Sequence, residues 1–235
     1  MITGPLTDAG AGAILCADHL AFSYGRTPAL RGASISISRG EIVALVGPSG
    51  SGKSTMLYCL AGLTQPDSGT VLFEGRDITR MSDAERTELR RTSFGFVLQF
   101  GHLVPDLTLT QNVSLPLMLR GTSRARAEKE ARTSLEALGL TEELDRCPEE
   151  VSGGQRQRAA VARALIGKPA MVFADEPTGA LDTANGDRVM SLLTRGARTL
   201  GTSVVLVTHD PSRLDAVDRI VHLRDGATEA PRSAA

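Results

Sequence analysis

Three short stretches of the 235-residue chain hold residues whose types and spacing could do chemistry. Gly47, Pro48, Ser49, Gly50, Ser51, Gly52, Lys53 and Ser54 run consecutively, with Thr55 after them, and fit the glycine-rich phosphate-loop pattern G-x-x-x-x-G-K-[ST]. The glycines let backbone N–H groups wrap phosphate oxygens without Cβ clashes. Lys53 supplies a point charge for β- and γ-phosphates, and the Ser54 hydroxyl is a ligand for Mg²⁺. Far along the chain, an apolar run at 171–174 ends in Asp175 and Glu176. A buried strand would not end in adjacent carboxylates without a use for them. Asp175 is placed to hold Mg²⁺ through water, and Glu176 to take a proton from an attacking water. The third stretch is Ser152-Gly153-Gly154-Gln155. A serine and two glycines before a helical run expose N–H groups that can clamp an anion. A second phosphate-binding helix start is odd for one nucleotide site. It becomes sensible if residues 152–155 bind the γ-phosphate held by a second copy of the chain.

These residues need a scaffold that brings distant segments together. Alternating apolar positions predict early strands at 14–24 and 33–37. An apolar strand at 41–46 leads into the glycine loop, and a helix over 54–61 follows. A strand at 70–73 comes next. Ser82 with Glu85 forms a capping box opening a polar helix to about Arg91, before a strand at 94–98. From 110 to 166 the pattern is mostly helical, with Ser123 capping a run that ends at Gly139 and Ser152 capping a run that ends at Gly167. Strands at 170–174 and 203–208 flank a helix at 184–200. A short helix after Pro211 and a strand at 220–224 close the pattern, turning at Asp225-Gly226. Apolar runs alternating with helices imply a buried parallel sheet. The helical middle, about 100–166, reads as an inserted subdomain, and the early strands as a small antiparallel layer. One domain is expected over 13–226, with loose ends at 1–12 and 227–235.

Bulk composition narrows the function. The length suits one large α/β domain and is too short for that domain plus a membrane channel. No apolar run approaches the roughly 20 residues that span a bilayer. A membrane role must therefore come through a partner. A net charge of -1 recruits neither nucleic acid nor anionic lipid, and 3% aromatics with no Trp leave few base-stacking surfaces. Three scattered cysteines (Cys16, Cys59, Cys147) fit neither a disulfide framework nor a zinc site and suit a reducing cytosol. The start lacks a basic, then apolar, signal segment.

Val151-Ser152-Gly153-Gly154-Gln155, with the phosphate loop and the acidic strand end in that order around it, resembles the signature of ATP-binding cassette (ABC) ATPases, with Val151 where Leu is usual. The resemblance runs from about Leu20 to Arg224. It implies an α/β fold with a P-loop NTPase (RecA-like) core, an N-terminal antiparallel β layer and an inserted α-helical subdomain. It implies ATP and Mg²⁺ as ligands. By the same resemblance Tyr24 stacks on adenine, Gln99 senses Mg²⁺ and the γ-phosphate, Asp182 lies in the loop that crosses the dimer, and His209 contacts the γ-phosphate. Residues 100–108 would touch a separate transmembrane permease, placing the chain at the cytoplasmic face of a membrane. Stretches such as Gly101-His102-Leu103-Val104-Pro105 and Pro177-Thr178-Gly179-Ala180-Leu181-Asp182 resemble the lipoprotein-releasing, macrolide-exporting and haem-exporting group. The rival readings are an importer subunit, a non-transport ABC ATPase such as a cell-division regulator, and a non-enzymatic ATP-binding scaffold.

Overall fold

The computed structural model describes residues 12–229. Its larger sheet has the order β10-β9-β3-β8-β7-β6, and its smaller sheet the order β2-β1-β4-β5. The strands of the smaller sheet are β1 (Ala13–Tyr24), β2 (Thr27–Ser38), β4 (Ser68–Phe73) and β5 (Arg76–Asp77). All its pairings are antiparallel. In the larger sheet β3 (Ile42–Val46), β6 (Phe94–Val97), β7 (Met171–Asp175), β8 (Ser203–Val207) and β9 (Arg219–Arg224) pair in parallel. The last strand, β10 (Ala227–Thr228), pairs antiparallel with β9. The sequence pattern reads those two residues as part of a loose end; they are held because Asp225 and Gly226 reverse the chain, with φ of 50° and 81°. The expected loose stretches at 1–11 and 230–235 lie outside the described residues.

Strands β7 and β8 are buried at every position, which explains why they carry continuous apolar runs at 171–174 and 204–207 rather than alternations. Opposite sides of the strands build separate cores. Val43, Leu45, Phe173, Val205 and Val207 face helix α1 (Lys53–Leu60) and the small sheet. Ile42, Ala44, Val172, Ala174, Val204 and Leu206 face helices α5 (Gly153–Ile166) and α6 (Thr183–Leu200). A third core joins α3 (Leu109–Leu119), α4 (Arg124–Ala137) and the outer face of α5, through Leu109, Val113, Ala131, Leu135, Ala159 and Ala160. Val151 is buried there, so a smaller apolar residue than Leu still fills its place.

Caps define the helix starts. Ser82 and Glu85 form the expected capping box on α2 (Asp83–Ser93), and Ser152 and Gln155 form one on α5. Thr108 and Gln111 form a third on α3. Ser123 occupies the capping position of α4, but its side chain accepts no capping hydrogen bond.

Helix α5 lies close against β6 because Gly95 has no side chain. A Cβ there would sit 2.3 Å from the Ala164 carbonyl oxygen. Gly95→Ala is therefore expected to destabilise the fold by about 1–3 kcal/mol through a forced backbone shift, read as a lower midpoint in urea unfolding. An unchanged midpoint would show that the two elements separate freely.

Candidate nucleotide site

The sheet order gathers the chemistry. In parallel α/β sheets ligands bind beyond the carboxyl ends of the strands. Here β3 ends at the glycine loop, β8 at Thr208-His209, β7 at Asp175-Glu176, and β6 just before Gln99. These four strands are neighbours, so segments more than a hundred residues apart share one edge.

The glycine loop is shaped by close backbone approach. Gly47 and Gly52 have φ of 156° and 98°. A Cβ on Gly47 would lie 2.1 Å from the Leu223 carbonyl oxygen, and one on Gly52 would lie 2.3 Å from the Ala29 carbonyl oxygen. Gly52 caps α1 without a side chain, so the first N–H groups of that helix have no capping acceptor and are available to an anion. Lys53 is 8% exposed, and its Nζ donates to the Gly47 and Pro48 carbonyls at 2.9 and 2.8 Å. The Ser51 hydroxyl is buried without a hydrogen-bond partner among the described residues. A cradle of uncapped N–H groups, a cation and an orphaned hydroxyl fits a phosphate chain.

The acidic pair divides in two directions. Asp175, 9% exposed, accepts from Ser54 Oγ at 2.9 Å through Oδ1 and from Tyr58 Oη at 2.7 Å through Oδ2. Burial, and then the bond to Asp175, push the Tyr58 hydroxyl up to about 12, so it stays protonated and donating. The hydroxyl of Ser54 and a carboxylate oxygen are the hard donors that Mg²⁺ takes from proteins, the rest of its shell coming from water and phosphate. Among the described residues no group of three or more His, Cys, Asp and Glu side chains could hold a metal unaided. This donor set therefore fits Mg²⁺ together with a nucleotide.

Glu176 turns the other way. Its φ of 44° is left-handed, an uncommon conformation for a residue with a side chain. The turn is held by its N–H donating to the Val207 carbonyl at 3.0 Å and its carbonyl accepting from Gly179 N–H at 3.1 Å. His209 Nδ1 lies 3.2 Å from Glu176 Oε1. The two residues line a cavity of about 150 Å³ with Thr178, Gly179, Leu181 and Thr208. Gln99 reaches the same place: its Nε2 would be 3.2 Å from a Cβ on Gly179, and Glu176 Oε2 2.9 Å from it.

Tyr24 ends β1 with 58% of its surface exposed, its hydroxyl 3.4 Å from Thr55 Oγ1 and its ring edge-on to Phe22 at 4.9 Å. An exposed ring beside the glycine loop is what base stacking requires.

Ser152–Gln155 is brought elsewhere. Its first turn packs on the start of α6: a Cβ on Gly153 would lie 3.6 Å from Leu181, and one on Gly154 would lie 2.9 Å from Asn185 Oδ1. Asn185 in turn donates through its backbone and side chain to Asp182, which caps α6. Those bonds hold the Asp182 carboxyl below the usual carboxylate range. The Gln155 side chain is engaged at both ends, accepting from Ser152 N–H at 2.7 Å and donating to Glu143 at 2.7 Å. Ser152 is exposed and Gly153 half-buried, while Gly154 is buried against Asn185.

The comparisons with known proteins decide the family. The ABC transporter family profile matches residues 30–179. The chain is 46% identical over 219 residues to the lipoprotein-releasing system ATP-binding protein LolD of Bordetella pertussis, covering 92% of this chain and 95% of that one. The chain belongs to the ABC transporter family. It is also 44% identical over 208 residues to LolD 2 of Caulobacter vibrioides, covering 88% of this chain and 91% of that protein. Among solved structures it is similar to the ATP-binding cassette MJ0796, in a dimeric post-hydrolysis state bound to ADP and Pi, with a TM-score of 0.85, 37% identity, and 92% and 97% of the two chains covered. This ABC chain is an ATPase built on the α/β cassette fold, with the parallel core, antiparallel layer and helical insertion that its sequence implies. Among the described residues no helix is long and apolar enough to cross a membrane.

Residues outside the motifs also shape the ABC site. Arg163 donates to the Gly101 and His102 carbonyls at 2.9 Å each, and Gln157 donates to the Leu98 carbonyl at 3.1 Å. The loop they hold, just after Gln99, has three successive left-handed residues, Phe100, Gly101 and His102. Helix α5 therefore carries Ser152 at one end and grips the Gln99 loop along its side. Nothing in the local sequence of Gln157 and Arg163 hinted at this, because their acceptors are backbone carbonyls some sixty residues away. Tyr58 was equally unmarked, although it falls one turn after Ser54.

Proposed function

We propose that two copies of this chain sandwich two ATP molecules, each held by the 47–55 loop of one copy and by Ser152, Gly153 and Gly154 of the other. The observation that carries the reading is a second glycine-rich helix start on the chain whose first turn packs on Leu181 and Asn185 and not on the glycine loop. The start of α1 sits on the strand edge, and the start of α5 sits against Leu181 and Asn185. The dimeric state of MJ0796 supports it.

Within each site, Lys53 exchanges its two carbonyl partners for β- and γ-phosphate oxygens, and Tyr24 stacks on the base. Ser54 and Asp175 would hold Mg²⁺, and Gln99 lies beside Glu176. The ion, when bound, neutralises charge on the phosphates. Glu176 accepts the proton of the attacking water, and His209 orients beside it and the γ-phosphate. Phosphoryl transfer of this kind is governed by positioning and electrostatics, which these groups supply.

The sandwich drives a separate transmembrane permease, which keeps the chain at the cytoplasmic face of the membrane. Phe100 and Val104 support a docking role for the loop after Gln99, being 64% and 40% exposed. The LolD relatives favour a lipoprotein-releasing or similar exporting system, in which the permease selects the cargo.

Sedimentation tests the central claim. With ATP and Mg²⁺, a chain prevented from hydrolysing should move from monomer to dimer. Ser152→Glu, which sets a carboxylate against the partner's γ-phosphate, should remain monomeric. A hydrolysis-blocked chain that stays monomeric in saturating ATP, or a Ser152→Glu chain that still pairs, contradicts the shared site. Co-purification from detergent-extracted membranes would then identify the permease.

A further inference from the structure

The metal-holding carboxylate has two hydroxyl donors, and only one of them belongs to the glycine loop. Ser54 donates to Asp175 Oδ1 at 2.9 Å and Tyr58 donates to Oδ2 at 2.7 Å. Ser54 and Tyr58 are four residues apart on α1, so the helix stacks them on one face, toward the end of β7. Tyr58 is itself fixed: its ring packs against the core shared by the two sheets, and its carbonyl accepts from Leu63 and Thr64 N–H at the end of α1. A buried carboxylate with one donor on each oxygen cannot rotate without giving up a bond, and water cannot readily replace that bond. If the Ser54 hydroxyl turned to a metal ion, Oδ1 would be freed to face that ion or its water. The Tyr58 bond on the opposite oxygen need not break.

We propose that Tyr58 is the positioning residue for Asp175, its hydroxyl holding the carboxylate in the orientation that presents Oδ1 to the ion shared with Ser54. The proposal rests on the reading of Asp175 as a Mg²⁺-holding group. Hydrogen-bonded partners of this kind orient ligands, and their loss costs roughly 10- to 100-fold in metal affinity.

The test uses the full chain saturated with the non-hydrolysable analogue AMP-PNP, with Mn²⁺ binding read by electron paramagnetic resonance. Tyr58→Phe removes one oxygen and keeps the ring. It is expected to weaken Mn²⁺ binding by roughly 10- to 100-fold while AMP-PNP affinity in EDTA stays at the wild-type value. A folded Tyr58→Phe chain with wild-type Mn²⁺ affinity overturns the proposal. So does an equal loss of nucleotide affinity with and without metal, since that marks a packing role alone. Asp175→Asn runs beside it. If Asp175→Asn loses Mn²⁺ and Tyr58→Phe does not, only the positioning role fails; if both retain it, the metal reading of Asp175 fails as well. A second measurement avoids the variant. The chain has two tyrosines, so 3-fluorotyrosine labelling gives two ¹⁹F resonances, assigned with Tyr24→Phe. Adding Mg²⁺ to the AMP-PNP complex should move the Tyr58 resonance, and an unmoved signal counts against the proposal.

Discussion

Replacing Glu176 by glutamine is expected to slow ATP hydrolysis by roughly 10²- to 10⁴-fold, the usual contribution of a positioned general base. Glutamine keeps the length and planarity of the side chain and can still occupy the turn at φ 44°, which is set by the backbone bonds to Val207 and Gly179. The phosphate loop, Lys53 and Asp175 are untouched, so nucleotide affinity should be retained. What is lost is the negatively charged acceptor facing His209 at 3.2 Å. The informative comparison is single-turnover hydrolysis against equilibrium nucleotide binding in the same preparation. Slow turnover with intact binding places the defect in proton acceptance. Wild-type turnover would remove Glu176 from the role of base. Loss of binding would instead mean that the strained turn had collapsed.

Lys53→Ala is expected to weaken ATP binding by roughly ten- to a hundred-fold, the range for losing a hydrogen bond to a charged group. Two effects combine. The cation facing the β- and γ-phosphates disappears, and the Gly47 and Pro48 carbonyls lose the Nζ that ties the loop together at 2.9 and 2.8 Å. Lys53→Met separates both from lost packing, because it keeps the buried stem while removing the charge and its donors. Titration calorimetry with ATP and with adenosine distinguishes phosphate recognition from general damage. ATP binding should fall in both variants while any adenosine binding persists. Undiminished ATP affinity in Lys53→Ala would mean that the 47–55 loop does not hold the triphosphate.

Much of this protein could be read without coordinates, because its chemistry is written in local patterns. Glycine at 47, 50 and 52 with Lys53 and Ser54, carboxylates closing an apolar run at Asp175 and Glu176, and a capping serine before two glycines at 152–154 are each decided by neighbours in the chain. So is the parallel sheet, since unbroken apolar runs such as 204–207 make sense only when both faces are buried. Contacts at long range leave no such trace. Nothing near Tyr58 in sequence announces Asp175, 117 positions away. Nothing near Gly95 announces the Ala164 carbonyl that forbids a side chain there. Arg163 looks like any polar helix position until the Gly101 and His102 carbonyls are folded onto it.

The sequence by itself determined which groups are available for the proposed roles: a glycine loop with Lys53, the Ser54 hydroxyl and Asp175 carboxylate, Glu176, and a second glycine turn after Ser152. Tertiary structure alone decided how they are shared out. The strand order β3-β8-β7-β6 sets Lys53, His209, Asp175, Glu176 and Gln99 on one edge, while α5 carries Ser152 away to the start of α6. The physical reason is that strand order and helix packing follow from which apolar faces can be buried together, a property of the whole chain. The identity of a catalytic side chain, by contrast, is fixed one residue at a time.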